Sequence, residues 1–497
     1  MAPDQRNVDN KPIILSQKTN SKQLINQCDA CSPIIFSHEK GSNKNHPTHN
    51  HHFMLSNEVV IEVPIDGEYT SYLMPSNQAF SVLNRKAKKV LNVFKAPELM
   101  DRVIRQWGQE EDLSTLLSEF RKAGLIRPEI DNDRQLVESP YKLTAWLHLT
   151  DRCNLRCAYC YLPHKNQDMS EATGKAAIDA TFRSAAIHNY KAVKLKYAGG
   201  EPLLRLDLIR ILHEYALQQA EDKQIELESV ILSNGILLSK DKIECIRHLN
   251  LRVMISLDGI GVVHDAQRPF KGGTGSFQQT MTGIELLLEE GIYPDISVTV
   301  TGRNVDQLAE LTQWLLEHKL PFTFNLCREN DFSQNHPKFD LIEERIIAGL
   351  TSAYKVIETN LPNRSLLASL ADQTNLAAPH LHPCSVGHSY LVFDCLGRVS
   401  KCQMQIGKSV TSVDAPDPLF DIRQDKEGIQ NVSVEDKPEC SRCEWKYWCA
   451  GGCPLANFRT TGRYDAKSPN CKIYKALFPA IMRLEGLRLL KYHGPAN

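Results

Sequence analysis

Residues 141 to about 330 alternate between short strand-like segments and longer amphipathic segments. The strand-like segments include YKLTAWLHLT, ISVTVT and PFTFNL, which are rich in β-branched, aromatic and leucine residues. The helical segments include SEATGKAAIDATFRSAAI, which begins at Ser170, and GSFQQTMTGIELLLEEG, which ends at Gly291. Strands that alternate with helices at this spacing predict a parallel sheet covered by helices.

Another helical segment, NVDQLAELTQWLLEH, begins at Asn304 and carries Gln307 three residues later. A capping box has this arrangement, because each of its two side chains accepts a hydrogen bond from the other residue's free backbone N–H group. We therefore predict that Asn304 caps this helix.

Glycines and polar residues follow three of the predicted strands. GGEP occupies 199–202, SNG occupies 233–235 and SLDG occupies 256–259. In a parallel αβ barrel, ligands bind at the carboxyl ends of the strands. We therefore expect a ligand site where these three segments meet.

Residues 58–130 predict a small α+β unit before this region. VVIEV and TSYLM are strand-like, and Asn84 stands at the start of the helical segment RKAKKVLNVF. Another helix is expected after Pro97, because proline favours the first turn of a helix. DLSTLLSEFRKAGLI repeats apolar residues at helical spacing and reaches a stop signal at Gly124.

The two ends of the barrel region are flanked by less regular sequence. Residues 1–57 are polar, and we expect a disordered tail. Their Cys28-x2-Cys31 pair and nearby histidines leave a metal site open as an alternative. Residues 337–375 indicate a helical linker to a cysteine-rich region at 380–480.

Composition excludes several classes of protein. The 58 Lys and Arg residues and 59 Asp and Glu residues give a net charge of −1, which indicates no broad nucleic-acid-binding surface. No apolar run is long enough to span a bilayer, and the first residues lack a secretion signal. Fifteen cysteines in such a chain favour metal ligation in a reducing compartment, and we expect a cytoplasmic protein.

The first cysteine group, Cys153-x3-Cys157-x2-Cys160, lies directly after a predicted strand and includes Tyr159. Three thiolates in one loop can bind an iron–sulfur cluster and leave one iron open for another ligand. A zinc knuckle or buried structural thiols are the alternatives, although no fourth protein ligand stands nearby.

This loop resembles the signature of the radical S-adenosylmethionine (SAM) enzymes. In that family, the open iron of a 4Fe-4S cluster chelates SAM, and one electron cleaves SAM to methionine and a 5'-deoxyadenosyl radical. The resemblance implies a partial (β/α)6 barrel over 141–330. It also assigns the GGEP segment to the amino end of SAM and the SNG and SLDG segments to its ribose and carboxylate.

The residues that the resemblance places near SAM come from the strand ends and from the HDAQR run that follows them. They are Tyr159, Gly199, Gly200, Glu201, Pro202, Ser233, Asn234, Ser256, Asp258 and Arg268. Arg268 is a candidate partner for the SAM carboxylate. An ordinary salt bridge is the alternative role for Arg268.

The second cysteine group resembles the seven-cysteine SPASM extension of radical SAM enzymes, which carries two auxiliary iron–sulfur clusters. The resemblance assigns Cys384, Cys402 and Cys453 to the first auxiliary cluster. It assigns Cys440, Cys443, Cys449 and Cys471 to the second. A zinc ribbon is the alternative for Cys440, Cys443, Cys449 and Cys453, but it leaves the other three cysteines without a role.

The first auxiliary cluster lacks a fourth cysteine. Some family members have one six residues after the first cysteine, where this chain has Tyr390. Cys395 or His388 could substitute, or the position could stay open to substrate. A buried structural thiol is the alternative role for Cys395. We interpret Cys245 and Cys327 as packing residues.

SPASM enzymes mostly act on peptides or proteins. Residues 58–130 resemble the recognition domain of maturases of ribosomally made peptides, which bind a leader peptide as an added strand; a winged-helix scaffold without that role is the alternative. The resemblance thus implies a peptide maturase that forms a C–C or thioether crosslink. A precursor peptide and an electron donor such as flavodoxin or ferredoxin are its expected partners.

Two other functions stay open. An anaerobic sulfatase-maturing enzyme would oxidise Cys or Ser to formylglycine, but such enzymes have an aspartate after the cysteine that matches Cys402. This chain has Gln403 there, which cannot act as a base. An iron–sulfur or zinc binding module without SAM chemistry is the third possibility.

Overall fold

The computed structural model describes residues 12–18, 52–55, 61–75, 79–107, 110–129, 141–332, 341–372 and 374–494. Its strands in chain order are β1 (Ile14–Lys18), β2 (His52–Leu55), β3 (Ile61–Pro64), β4 (Tyr69–Met74), β5 (Ala79–Asn84), β6 (Glu98–Leu99), β7 (Ile126–Pro128), β8 (Lys142–His148), β9 (Ala192–Ala198), β10 (Glu226–Ser233), β11 (Arg252–Ser256), β12 (Asp295–Val300), β13 (Phe322–Leu326), β14 (Tyr390–Phe393), β15 (Arg398–Ser400) and β16 (Ser409–Ser412).

Helices follow or connect these strands. They are α1 (Arg85–Val93), α2 (Met100–Trp107), α3 (Glu110–Lys122), α4 (Glu171–Ile187), α5 (Leu206–Lys223), α6 (Lys240–His248), α7 (Val262–Gln267), α8 (Phe277–Glu289), α9 (Leu308–Glu317), α10 (Glu343–Thr359), α11 (Pro418–Gln424), α12 (Lys446–Cys449), α13 (Pro454–Thr461) and α14 (Cys471–His493). None of these described helices combines the length and apolar character needed to cross a membrane.

The central sheet has nine strands in the order β13-β12-β11-β10-β9-β8-β14-β15-β16. Strands β8 to β13 pair in parallel with their chain neighbours, which confirms the predicted α/β class with a parallel sheet. The sheet stays open and does not close into a barrel. All six strands therefore present their carboxyl ends at one edge, where the three predicted ligand segments lie.

The cysteine-rich region extends this sheet. Strand β14 pairs in parallel with β8, so that Tyr390 lies opposite Thr144, and β15 and β16 follow as antiparallel neighbours. The sequence pattern did not predict this pairing, because it joins residues that are almost 250 positions apart in the chain. As a result, the first cysteine loop follows β8, and the second cysteine group begins at Cys384, just before the neighbouring strand β14.

The N-terminal region contains two further sheets. One has the order β1-β5-β4-β3 and is antiparallel, and the other has the order β6-β2-β7 and packs with α1, α2 and α3 around a separate apolar core. Strands β1 and β2 fall within the segment 1–57, so the expectation of a disordered tail is wrong at those residues. The Cys28-x2-Cys31 pair lies outside the described residues.

Helix α14 brings the C-terminal region into contact with the N-terminal antiparallel sheet. It packs on β3 and β4, where Ser71 Oγ donates to the carbonyl oxygen of Met482 at 3.3 Å. A Cβ at Gly486 would lie 2.4 Å from Ile65 Cδ1, so only glycine allows this approach. The helix runs to His493, beyond the predicted boundary of the cysteine-rich region at 480.

Helix capping was predicted correctly at two positions and wrongly at one. Asn84 accepts from Ala87 N at 2.9 Å, and Ser170 accepts from Thr173 N at 3.0 Å. The Asn304 side chain instead accepts from Thr301 N at 2.8 Å. It does not cap its helix, because its amide is used to fix the loop after β12.

Candidate active site

The loop that carries Cys153, Cys157 and Cys160 follows β8 and lies against the segment after α7. Backbone hydrogen bonds attach the loop to that segment on both sides of Cys157. They run from Arg156 N to Pro269 O at 2.8 Å, from Ala158 N to Gln267 O at 3.0 Å and from Lys271 N to Asn154 O at 3.1 Å. The position of the three thiols is thus set by the backbone and not by side-chain contacts alone.

The two glycines after β9 allow this loop to approach the sheet. Gly199 has a φ of 138°, and an added Cβ at Gly200 would lie 2.1 Å from the carbonyl oxygen of Arg152. Gly200 N also donates to Thr150 O at 2.7 Å. In the structure these glycines contact the backbone of the cysteine loop, and their contact with a ligand stays a prediction.

Glu201 is fully buried and collects hydrogen bonds from the next strand end. It accepts from Ser233 Oγ at 2.8 Å and from Asn234 N at 2.9 Å, and Asn234 Nδ2 donates to Asn154 Oδ1 at 2.8 Å. Pro202 is buried and begins a short 3-10 turn. Burial raises the pKa of Glu201, and these hydrogen bonds act in the opposite direction. Ser233 and Asn234 therefore hold Glu201 in place.

Tyr159 connects the cysteine loop to the third strand end. Its hydroxyl donates to a carboxylate oxygen of Asp258, and Arg268 Nη1 donates to the same hydroxyl at 2.5 Å. Asp258 also accepts from Thr299 N at 2.8 Å, and Asn330 donates to Tyr159 O at 3.0 Å. Among the described residues, the buried Nε of Arg268 has no hydrogen-bond partner, so this guanidinium keeps a donor for a bound anion.

Ser256 is the predicted SAM contact that takes least part in this network. It is half-buried at the end of β11, and it lies opposite Ser297 of β12. Ser297 lines the large cavity described next, whereas Ser256 is not among the lining residues.

A cavity of about 540 Å³ extends from the cysteine loop to the second cysteine group. Tyr159, Thr299 and Asn325 line it on the side of the parallel sheet. The opposite wall includes three thiols of the cysteine-rich region, those of Cys384, Cys402 and Cys453. The cavity therefore reaches from Tyr159 of the cysteine loop to three thiols of the second cysteine group.

A second cavity, of about 510 Å³, is lined by the other four cysteines of this region. These are Cys440, Cys443, Cys449 and Cys471. The seven thiols thus lie at two cavities in groups of three and four. The resemblance assigns the same groups to two clusters, and the binding of those clusters stays a prediction.

The thiol environments fit iron–sulfur clusters. Burial raises the pKa of Cys153 to about 11 and that of Cys157 to about 12, so a cationic partner such as iron is needed to hold the thiolates. Within the described residues, no three His, Cys, Asp or Glu side chains are arranged around a single metal ion. Thiols that surround a cavity leave room for a multi-iron group, whereas zinc draws its ligands to about 2.3 Å.

The candidates for a fourth ligand of the first auxiliary site separate clearly. Tyr390 lines the large cavity, and its hydroxyl donates to Gln403 Oε1 at 3.0 Å. The Cys395 thiol instead donates to His148 O at 3.2 Å, outside the cavity lining. The imidazole of His388 packs beside that of His382, with ring centroids 4.1 Å apart, and does not line the large cavity. This geometry favours a structural role for Cys395.

Cys327 was interpreted as a packing residue, and the structure corrects this. It is half-buried at the carboxyl end of β13 and lines the large cavity between the two predicted cofactor sites. The sequence signal was its place directly after a predicted strand, as for the other site residues. Cys245 is half-buried and packs against the main core.

Residues 147–315 match the model of the radical SAM superfamily. This part of the chain is a radical SAM domain. Domains of this family use a 4Fe-4S cluster and SAM as their cofactors.

Relatives of known name match mainly this domain. The antilisterial bacteriocin subtilosin biosynthesis protein AlbA of Bacillus subtilis is 30% identical over 35% of this chain and 37% of its own length. An AdoMet-dependent heme synthase of Methanosarcina barkeri is 26% identical over 67% of this chain and 97% of its length. The match covers between 37% and 57% of the first four curated relatives.

The solved structure of anSMEcpe with bound AdoMet is similar in fold. It is 17% identical, with a TM-score of 0.57, and the similarity covers 68% of this chain and 98% of anSMEcpe. At this identity the comparison shows a common fold alone.

Proposed function

We propose that this protein is a radical SAM peptide maturase that forms a side-chain crosslink, either C–C or thioether, in a ribosomally made precursor peptide. The observation that carries this proposal is the cavity of about 540 Å³ that Tyr159 and Cys402 both line. A substrate in this cavity meets the SAM site on one side and the first auxiliary site on the other.

Three groups of residues would hold the cofactors. Cys153, Cys157 and Cys160 would bind the cluster that supplies an electron for SAM cleavage. The two auxiliary clusters would use the remaining metal-ligating cysteines: Cys384, Cys402, Cys453, Cys440, Cys443, Cys449 and Cys471. The free Nε of Arg268 supports a contact with the SAM carboxylate.

The cavity wall suits a peptide side chain. Trp146, Tyr390, Phe322 and Leu455 provide apolar surface, and Asn325 adds polar groups that can orient a backbone. A largely apolar wall of this kind limits the access of water while a radical reacts, which limits side reactions.

The N-terminal sheets support binding of a peptide backbone. The short sheet ends at β6 and β7, and an extended peptide can add to a sheet edge through main-chain hydrogen bonds. The AlbA relative, named for bacteriocin biosynthesis, supports a peptide as the substrate class. We propose flavodoxin or ferredoxin as the electron donor and the cytoplasm as the location.

Formylglycine formation has less support. Gln403 follows Cys402, and its amide oxygen accepts from the Tyr390 hydroxyl at 3.0 Å. An amide cannot take up a proton as an aspartate does, so the base of a sulfatase-maturing reaction is missing at this position.

A tetrapyrrole substrate is the second candidate. The similarity to the heme synthase covers 97% of that relative, which is a specific observation in its favour. Titration of the protein with an iron porphyrin tests it directly: a stoichiometric shift of the Soret band would support this candidate over a peptide.

The proposed function is tested under anaerobic conditions. The reconstituted protein is reduced with dithionite, SAM is added and 5'-deoxyadenosine is measured. Separately, short peptides encoded beside the gene are co-expressed and examined by mass spectrometry. We expect 5'-deoxyadenosine and a peptide that has lost two hydrogen atoms. Turnover of SAM in which all such peptides and their fragments stay unmodified would contradict the maturase.

A further inference from the structure

Lys437 is a lysine with no exposed surface, and it lies three residues before Cys440. Its Nζ donates to the carbonyl oxygen of Ala450 at 2.9 Å. Within the part of the chain that the structure describes, this is the one hydrogen-bond acceptor of the ammonium group, and no carboxylate pairs with it. A buried charge is costly unless an opposite charge compensates it.

The loop from Cys449 to Cys453 folds around this ammonium group. Ala450, Gly451 and Gly452 have φ values of 46°, 77° and 69°, so three successive residues adopt the left-handed conformation. A Cβ at Gly451 would lie 2.7 Å from Lys437 Nζ. The chain thus accepts unusual backbone geometry at the place where the lysine is enclosed.

This loop connects the two auxiliary cavities. Cys449 and Gly451 line the cavity of about 510 Å³, and Cys453 lines the cavity of about 540 Å³. The carbonyl oxygen that accepts from Lys437 belongs to Ala450, the residue directly after Cys449.

On the other side, the loop ends at Cys453, which lines the larger cavity together with Cys384 and Cys402. The loop that encloses the ammonium group therefore borders both auxiliary sites.

Among the described residues, two N–H groups of the Lys437 ammonium have no acceptor. Clusters with cysteine ligands are negatively charged, and their sulfur atoms accept hydrogen bonds. A cluster in each auxiliary cavity would supply the negative charge and the hydrogen-bond acceptors that the described protein atoms do not provide. Net charge and hydrogen bonds to the sulfurs are also what set the reduction potential of such clusters.

We propose that Lys437 is a positioning residue whose positive charge is shared by the two auxiliary cluster sites and raises the reduction potential of both. This inference rests on the auxiliary clusters of the proposed function. A cation stabilises the reduced state of a cluster, since reduction adds negative charge. With both potentials raised by the same group, each auxiliary site becomes a better acceptor for an electron from a substrate radical.

The test is a redox titration of the reconstituted full-length protein, monitored by electron paramagnetic resonance, in the wild type and in Lys437→Met and Lys437→Gln. We expect the reduction equilibrium of both auxiliary clusters to become at least tenfold less favourable, which is about 59 mV for a one-electron couple. The signal of the SAM-binding cluster should not shift, because Lys437 lies within the second cysteine group.

Two further variants serve as controls. Lys437→Arg keeps the charge and should preserve the high potentials. Lys408→Met removes an exposed lysine that lines neither cavity and should leave the potentials unchanged. Unchanged potentials in both neutral variants would overturn the inference. If the neutral variants lose auxiliary iron while Lys437→Arg retains it, the charge is needed to hold the clusters, which supports the inference. Loss of iron in all three indicates a packing role and overturns it.

Iron analysis of the wild type separates this inference from the proposed function. Three clusters correspond to about twelve iron atoms per chain. If the fully reconstituted wild type holds only about four iron atoms per chain, the auxiliary clusters themselves are absent, and the proposed function fails in this respect. A full complement with unaffected potentials would leave the proposed function intact and remove the role of Lys437.

Discussion

The hydroxyl of Tyr161 lies 3.0 Å from Nε2 of His148. Nδ1 of this histidine lies 3.2 Å from the carbonyl oxygen of Phe393, which can only accept, so Nδ1 carries the proton and Nε2 accepts from Tyr161. His148 has no exposed surface, and burial lowers its pKa to about 4. The contact ties the residue after Cys160 to strands β8 and β14.

This relationship predicts an acid-sensitive fold. The folded pKa of His148 is below the unfolded value of 6.5, so the unfolded state binds more protons between pH 6.5 and 4. Stability is fully present above pH 6.5 and falls by about 1 kcal/mol per pH unit below it. We expect the thermal midpoint to fall from pH 7.0 to pH 5.5, and to fall less in His148→Gln.

Part of the acid sensitivity should survive in that variant. Burial also lowers the pKa of His264 to about 3, so this second histidine acts in the same direction. His248→Gln at the exposed end of α6 is the matched control. If the thermal midpoint falls by the same amount from pH 7.0 to pH 5.5 in the wild type and in His148→Gln, the assignment of a neutral buried His148 is contradicted.

A second prediction concerns the approach of the cysteine loop to the sheet. In Gly200→Ala, the new Cβ would lie 2.1 Å from Arg152 O, so the loop must move. We expect loss of the iron bound by the first cysteine group and of 5'-deoxyadenosine formation, with auxiliary iron retained. Gly407→Ala adds a methyl group with no atom within 4 Å and is the control. Wild-type iron content in Gly200→Ala would show that the loop can yield.

The sequence predicted those features that depend on neighbouring residues. The parallel strands, the cysteine spacing and the caps at Asn84 and Ser170 are of this kind. Asn304 was mispredicted, since its amide also donates to Asp258 O at 2.6 Å, which is 46 positions away. Cap chemistry alone could not reveal that a loop after another strand competes for the same side chain.

Long-range pairing explains the other differences. Strand β14 joins β8 because the C-terminal region covers the open sheet edge, and this places Tyr390 beside the large cavity. Cys327 lines the same cavity because it directly follows β13, at the carboxyl end of the parallel strands. Lys437 stands in a polar segment, VSVEDKPEC, and no sequence pattern distinguishes it from an exposed lysine.

A third prediction addresses the link between Tyr159 and Asp258. In Tyr159→Phe, the buried Asp258 carboxylate and the Arg268 guanidinium each lose a partner. We expect a destabilisation of about 1–3 kcal/mol, as for other buried polar groups that lose a hydrogen bond. Thermal denaturation measures it, with Tyr293→Phe as control, because Tyr293 is 59% exposed. Equal midpoints in both variants would show that Arg268 alone satisfies Asp258.

The last prediction separates the cysteine groups. In Cys157→Ala, we expect loss of SAM cleavage while the iron of both auxiliary sites remains, because those thiols line cavities formed by other segments. In Cys449→Ala, we expect the opposite result: auxiliary iron is lost, whereas dithionite-driven cleavage of SAM in the first turnover continues. Cys245→Ala, which removes a half-buried thiol outside both cavities, should retain all iron. Full SAM cleavage by Cys157→Ala would refute the assignment of the active cluster to the loop after β8. Loss of SAM cleavage in Cys449→Ala would mean that the two cysteine groups depend on each other for folding.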